Sequence, residues 1–300
     1  MTNNATHAGF IAIVGAPNVG KSSLINRLVG TKVSIVSAKV QTTRTRVLGI
    51  CISGAVQVIF VDTPGIFQPR RRLDRAMVAA AWGGAGDADH VLLLVDAARG
   101  IDDDTQNIID KLRGSGRRAV LAINKVDIVK KTDLLSLTAT LQDPDLFTKT
   151  FMISATCGDG VNDLLAYLAD LLPAGPWLFP EDQVSDMPER LLAAEITREK
   201  LYLELHQELP YATTVETESW ECKPDGSIRI SQVIYVERDT QKAIVLGKGG
   251  RQIKRIGVKA RQELQEIMDT NVHLFVFVKV REKWGDDPER YRDWDLDFNA

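Results

Sequence analysis

The stretch GAPNVGKS, Gly15 to Ser22, constrains this chain more than any other segment. It follows the apolar run FIAIV and opens the helical pattern KSSLINRLVG, the strand-to-helix context that a phosphate-binding loop requires. Glycines let backbone amides face an anion, Lys21 brings a cation to the β- and γ-oxygens, and Ser22 offers a hydroxyl to Mg²⁺. Such a loop sits at the carboxyl end of a parallel strand. It therefore predicts an α/β first domain with a mostly parallel, doubly wound sheet. The runs VQVIFVDT, HVLLLVDAA, RAVLAINKVD and TKTFMISAT, alternating with helical stretches, supply further strands.

Three more strand ends carry matching chemistry. Asp62 closes VQVIFVD, where a carboxylate can hold Mg²⁺ through water, and the amide of Gly65 can reach a γ-phosphate. NKVD, Asn124 to Asp127, names the base, because a carboxylate accepts from both N1–H and the N2 amino group of guanine and adenine offers neither donor. Charge-assisted hydrogen bonds of this kind are worth about 1.5–3 kcal/mol each. The stem of Lys125 can cover the base plane, and Ser154 and Ala155 suit an amide directed at O6. The expected nucleotide contacts are Gly15, Ala16, Pro17, Asn18, Val19, Gly20, Lys21, Ser22 and Ser23, then Asp62, Thr63, Pro64, Gly65 and Ile66, then Asn124, Lys125, Asp127, Ser154 and Ala155. Magnesium would be held by Ser22, Asp62 and a threonine of AKVQTTRTR (38–46), with Thr43 first and Thr42 second. Ile66 raises a question: it stands where Ras-like GTPases place a water-orienting glutamine, and an isoleucine cannot hydrogen-bond a water.

Pro173, Gly175, Pro176, Pro180 and Pro188 break the periodicity, predicting a domain over 1–175 and a linker over 176–188. Beyond it the pattern is helix, strand, strand, GKGG between helices, strand, over 189–284. Leu192, Ile196 and Leu203 share a helix face, and Ile228, Ile230, Ile234 and Val236 a strand face. PDG at 224–226 marks a turn. The helix after GKGG carries Ile253, Ile256, Ala260, Leu264 and Ile267 on one stripe, and 285–300 reads as a polar tail. Net charge is −3, which argues against nonspecific nucleic-acid binding, yet Lys242 to Arg261 contains seven cations and no acid. Glycines allow close approach to sugar-phosphate, so a clamp for about four nucleotides is expected. Its residues are Ile244, Gly247, Lys248, Gly249, Gly250, Arg251, Ile253, Lys254 and Arg255. The arginines Arg70 to Arg72 read first as a solvated face, with RNA contact as the second reading. Scattered cysteines and histidines suggest neither disulfide nor zinc. Neither a signal sequence nor an apolar membrane span is evident, and the chain reads as cytoplasmic.

QTTR, DTPGI, NKVD and SAT resemble the translation-factor-like class of P-loop GTPases, and the second half looks like a type II KH domain, an α+β fold. The pairing, ending in VLGKGGRQIKRIG, is similar over nearly the whole chain to the Era family. One departure is AWGGAGDADH, whose Gly83, Gly84 and Gly86 weaken the helix expected after the DTPG segment. The resemblance implies a monomeric switch that binds GTP and GDP, hydrolyses GTP to GDP and phosphate, binds the 3′ region of small-subunit (16S) ribosomal RNA and acts in 30S subunit assembly. It also implies hydrolysis without a glutamine, with Lys21, Asn18, Thr43 and Gly65 as catalytic groups and K⁺, held by Asn18, as a second cofactor beside Mg²⁺. Alternatives are a division-linked GTPase peripheral on the cytoplasmic face of the inner membrane, and an RNA-binding protein that holds GTP with little turnover.

Overall fold

The computed structural model describes residues 6–37, 39, 42–44, 46–69, 71–205, 209–294 and 296–300. Arg70, Asp295, the first five residues and, within 38–46, Ala38, Val40, Gln41 and Thr45 lie outside them. The chain divides into two compact units: Met1–Ser34, Thr43–Asp186 and Tyr291–Ala300 form the first, Ile35–Thr42 and Met187–Arg290 the second.

In the first unit the order is β1 (His7–Val14), α1 (Lys21–Val29), β2 (Val47–Ser53), β3 (Val56–Asp62), α2 (Arg72–Asp87), β4 (His90–Asp96), α3 (Asp103–Gly114), β5 (Ala119–Asn124), α4 (Lys131–Thr140), β6 (Phe147–Met152) and α5 (Val161–Asp170). The sheet order is β2-β3-β1-β4-β5-β6, parallel except for the antiparallel β2–β3 pair. Alternation along the buried strands fills both faces. Ala12, Val14, Ile59 and Val61 belong to one apolar core, and Ile11, Ile13, Val58 and Phe60 to the other. Strand β2 is absent from the expected runs because Gly49 interrupts its pattern. That glycine is required by packing, since a Cβ there would stand 2.6 Å from Ile25 Cγ2 on α1. The glycine-weakened helix forms in full as α2: Gly84 lies against Val61 and Thr63, where a Cβ would meet them at 3.4 and 3.5 Å, and Ala81 and Ala85 are buried beside it. The expected linker segment is bound along the sheet, with Ile50 N–H donating to Val184 O (2.9 Å) and Gln57 Nε2 to Phe179 O (2.8 Å).

The second unit comprises α6 (Glu189–Glu204), β7 (Thr213–Cys222), β8 (Ile228–Val236), α7 (Asp239–Leu246), α8 (Arg251–Met268) and β9 (Val272–Val280), with sheet order β7-β8-β9. β7 and β8 are antiparallel around the turn at Gly226 (φ 82°), and β8 and β9 are parallel. Ile230, Ile234, Val236, Ile256 and Leu264 are buried between helices and sheet, in line with the stripes. Leu203 is not: it is exposed in the last turn of α6, whereas Ala193, Ile196, Thr197, Arg198 and Tyr202 are buried. Val36 and Thr42 bond to side chains of that helix. Glu199 Oε1 accepts from Val36 N–H (2.8 Å), and Arg198 donates to Thr42 O, so polar α6 residues are buried with partners. The stretch read as a polar tail also folds. It contains α9 (Pro288–Asp293), and Tyr291, Trp294 and Leu296 are buried in the first unit, while Trp284 just before it is buried in the second.

Candidate functional site

The loop between β1 and α1 closes over its own lysine. Lys21 is buried and donates to Gly15 O (3.0 Å) and Ala16 O (3.1 Å). Burial lowers its ammonium to about 8, opposed by the nearby Asp62 carboxylate. Ala16 and Val19 are core residues, so only their backbone can face a ligand. Asn18 and Gly20 have φ of 65° and 102°. No side chain fits at Gly20, where a Cβ would stand 2.3 Å from Asn124 Nδ2. Ser23 follows Ser22 in the first turn of α1.

Around Asp62 the oxygens converge. Its Oδ2 accepts from Ser22 Oγ (2.9 Å), from Ser34 Oγ (2.7 Å) and, at 3.4 Å, from Thr43 Oγ1, which lies 3.0 Å from Ser22 Oγ. Its Oδ1 is buried with no hydrogen-bond partner among the described residues. Burial raises this carboxyl above the ordinary range, opposed by the Ser34 hydrogen bond, by Lys21 and by Ser22 and Thr43. Two hydroxyls and a carboxylate with an orphaned oxygen form a hard, all-oxygen donor set, which fits Mg²⁺. Of the two threonines it is Thr43 that reaches this cluster; Thr42 Oγ1 donates to Lys39 O (2.7 Å).

The segment after Asp62 is stitched to the loop. Thr63 Oγ1 donates to Ile13 O (2.8 Å), Ile66 N–H to Gly15 O (3.2 Å), and a Cβ on Gly65 would touch Pro17 Cα at 3.0 Å. Pro64 is buried. Ile66 is 6 % exposed within the core that holds Val14 and Val61. The residue in the glutamine's place is thus an anchor for this segment, held in the apolar core.

At the far end of the loop, Asn124 donates to Val19 O (2.8 Å) and accepts from Ala155 N–H (2.9 Å), tying three loops together. Lys125, with φ 66°, reaches Asn18 O (2.8 Å) and Asp96 Oδ2 (2.5 Å). Asp127 is exposed in the turn Val126–Ile128, where its carboxylate can accept from a base. At Ser154 and Ala155 the amides have partners within the chain: Ser154 N–H donates to Asp159 O (2.9 Å) and Ala155 N–H to Asn124 Oδ1 (2.9 Å). A guanine O6 there would share the Ala155 donor. Sequence reading missed Ser34, Asp96 and Arg99, the last donating to Pro17 O (2.7 Å). None lies in a recognisable motif, and only the fold brings them to the loop.

In the second unit GKGG turns the chain between α7 and α8. Gly247, Gly249 and Gly250 all have positive φ, and a Cβ on Gly249 or Gly250 would meet nothing within 4 Å, leaving backbone open to close approach. Lys248, Arg251, Lys254 and Arg255 are exposed or partly so, and Ile244 is 58 % exposed. Between α8 and β9 runs a groove of ≈ 310 Å³ lined by Ile253, Lys254, Gly257, Val258, Arg261 and Leu274 to Phe277. Of its lining only Ile253 and Lys254 were expected. The alternating run HLFVFVKV was the available signal for the β9 wall.

A family model described as 50S ribosome-binding GTPase matches residues 10–125, and a KH domain model matches 208–285. The chain is 62% identical over 293 residues to GTPase Era of Rhizobium meliloti (strain 1021), covering 98% of this chain and 94% of that protein. It is 59% identical over 293 residues to GTPase Era of Brucella suis biovar 1, with the same coverage. Among solved structures, a single-residue variant of Aquifex aeolicus Era bound to GDP·AlF4⁻ superposes with a TM-score of 0.91 at 38% identity, covering 96% of this chain and 99% of that one. Era in complex with MgGDPNP and nucleotides 1506–1542 of 16S ribosomal RNA gives 0.90 at 38% identity, covering 96% and 98%. With identity of this extent running through both the nucleotide loop and the GKGG module, the chain belongs to the Era family of GTPases.

Proposed function

We propose that this GTPase is a switch in which GTP binding and hydrolysis time the engagement of 16S ribosomal RNA, near its 3′ end, by the GKGG groove during maturation of the 30S subunit in the cytoplasm. The observation that carries the reading is the presence, in one chain, of a built phosphate site and a built groove: Lys21, Ser22, Thr43 and Asp62 in one unit, and open glycines beside exposed cations in the other. The relative crystallised with MgGDPNP and 16S nucleotides supports it. No described helix is long and apolar enough to cross a membrane.

In this reading Lys21 leaves its carbonyl partners for the β- and γ-oxygens, and the added negative charge holds it protonated. The amides of the loop and of Gly65 cradle the phosphates, Asp127 selects guanine, and Lys125 stays pinned by Asp96 so that its stem lies along the base. Magnesium, held by Ser22, Thr43 and Asp62, neutralises charge on the phosphate oxygens. Water attacks the γ-phosphorus, the bond to the β-bridging oxygen breaks, and GDP and phosphate leave. Ile66 supplies nothing polar, so backbone groups place the water. We assign potassium to Asn18, whose positive φ sets it at the bend of the loop.

The test uses the full chain. Lys248→Asp with Gly249→Asp places negative charge against phosphate, and should weaken binding of the 1506–1542 RNA by at least about 100-fold while intrinsic turnover persists. Turnover should be faster in K⁺ than in Na⁺ at equal ionic strength, and Asn18→Ala should abolish the difference. Undiminished RNA affinity would remove GKGG from the RNA site. Absent turnover in the parent would reduce GTP to a structural ligand, and equal rates in both salts would remove the potassium assignment.

A further inference from the structure

β9 is an edge strand, and its alternate side chains point to opposite faces. Leu274, Val276, Val278 and Val280 pack toward the helices. Phe275 and Phe277 point the other way and are 44% and 54% exposed. On that same face Arg229 of β8 stands over the Phe275 ring, 5.1 Å from its centroid. The neighbouring part of the face is closed by the chain itself: Arg290 lies 4.8 Å from the Tyr235 centroid, is bonded to Glu216, and Val233 is fully buried. The two phenylalanines are left uncovered. The acids nearby are engaged, Glu221 facing Arg229 at 3.8 Å and Glu218 accepting from Lys279 at 2.6 Å.

Phe275 and Phe277 also border the groove between α8 and β9, so the open face continues directly from it around the strand edge. Strand rise separates side chains two residues apart by about 6.5 Å, close to twice the spacing of stacked bases, about 3.4 Å. One base has room between the two rings. Flat aromatic faces, an adjacent guanidinium and continuity with a cation-lined groove are the features of a single-strand stacking platform.

We propose that Phe275 and Phe277, with Arg229, form a base-stacking platform that takes single-stranded RNA as it leaves the GKGG groove and turns around the edge of β9. The inference rests on the RNA reading above. Its occupant is RNA rather than protein because the surface joins a groove whose rim is basic and whose glycines are open to phosphate.

The experiment measures binding of fluorescein-labelled fragments of the 1506–1542 RNA, trimmed from either end down to about four nucleotides, to the full chain. Both rings are exposed, so Phe275→Ala with Phe277→Ala should melt like the parent. The double variant should bind the shortest groove-filling fragment within about two-fold of the parent and lose roughly 10- to 100-fold on the longer ones. Phe277→Trp should retain the gain with length, and Phe277→Leu should lose most of it. Long fragments bound equally by parent and double variant would overturn the platform and assign the surface to a protein contact. Full binding by Phe277→Leu would overturn stacking. The groove reading fails separately, if Lys248→Asp with Gly249→Asp binds the shortest fragment as the parent does.

Discussion

Ser34 shows what a single side chain adds to a loop that motifs already describe. Asn26, one turn beyond Ser22 on α1, accepts from Val33 N–H and Ser34 N–H (both 2.9 Å) and donates to Ser34 O (2.7 Å). The turn is thereby held so that Ser34 Oγ donates to Asp62 Oδ2, leaving Oδ1 for another partner. Groups that orient a metal-binding carboxylate typically change metal affinity by about 10- to 100-fold. Ser34→Ala should therefore raise the magnesium concentration needed for half-maximal binding of a fluorescent GTP analogue by roughly 10-fold, with nucleotide binding in EDTA unchanged. Asn26→Ala should shift it in the same direction. An unaltered magnesium titration in a Ser34→Ala protein of normal melting would deny the residue this role. Lys21, Asp62, Asp127 and Thr43 are legible in the sequence because each sits in a motif; Ser34 and Asn26 act through hydrogen bonds that have no signature.

At the level of elements, α2 departs most from local preference. Glycine in a helix interior costs about 0.8–1.0 kcal/mol relative to alanine, and α2 contains Gly83, Gly84 and Gly86 near its end. The helix persists because Ala76, Met77, Ala81 and Ala85 are buried and because Asp74 accepts from Arg71 N–H (2.9 Å) at its start. Gly84 is the one with close neighbours, where a Cβ would be in contact with Val61 and Thr63. Gly83 is exposed with open space around it. Gly83→Ala should stabilise the first unit by about 1 kcal/mol, seen as a higher urea midpoint and slower amide exchange in α2, whereas Gly84→Ala should gain less or lose stability. Equal gains at both positions would show that the Val61 contact does not matter. β2 is the complementary case, a strand hidden by a glycine that α1 requires.

For the molecule as a whole, the stretch from Trp284 onward matters more than its polarity suggests. Trp284 is 2% exposed and donates to Ala212 O (3.1 Å), and its carbonyl accepts from Arg290 Nη1 (3.0 Å). In the first unit, Trp294 lies 6.0 Å from the Arg44 guanidinium and Phe298 4.4 Å from that of Arg72. Both arginines belong to the segments flanking the magnesium cluster in sequence. Trp284→Ala should cost the second unit about 3–5 kcal/mol, read by the unfolding transition that RNA binding tracks. Intrinsic GTP turnover should change little, because Lys21, Thr43 and Asp62 lie in the other unit. Loss of turnover together with the second unit would show the two to be one cooperative body.

The sequence by itself determined the α/β first unit, the order of the second, and the four nucleotide motifs, because each rests on local chemistry: period-two apolar strands, glycines where the backbone must bend, and a cation, hydroxyl or carboxylate at a strand end. Tertiary structure decided what those groups do when not facing ligand. Ile66 became a core anchor, Asn124 a tie between loops, and the amides of Ser154 and Ala155 became partnered donors. It also decided that α6 buries Arg198 and Glu199 while exposing Leu203, and that aromatic residues in an acidic stretch fold back into cores. The physical reason is common to all of them. Burial and hydrogen bonding between residues distant in sequence depend on which surfaces meet, and no local pattern carries that information.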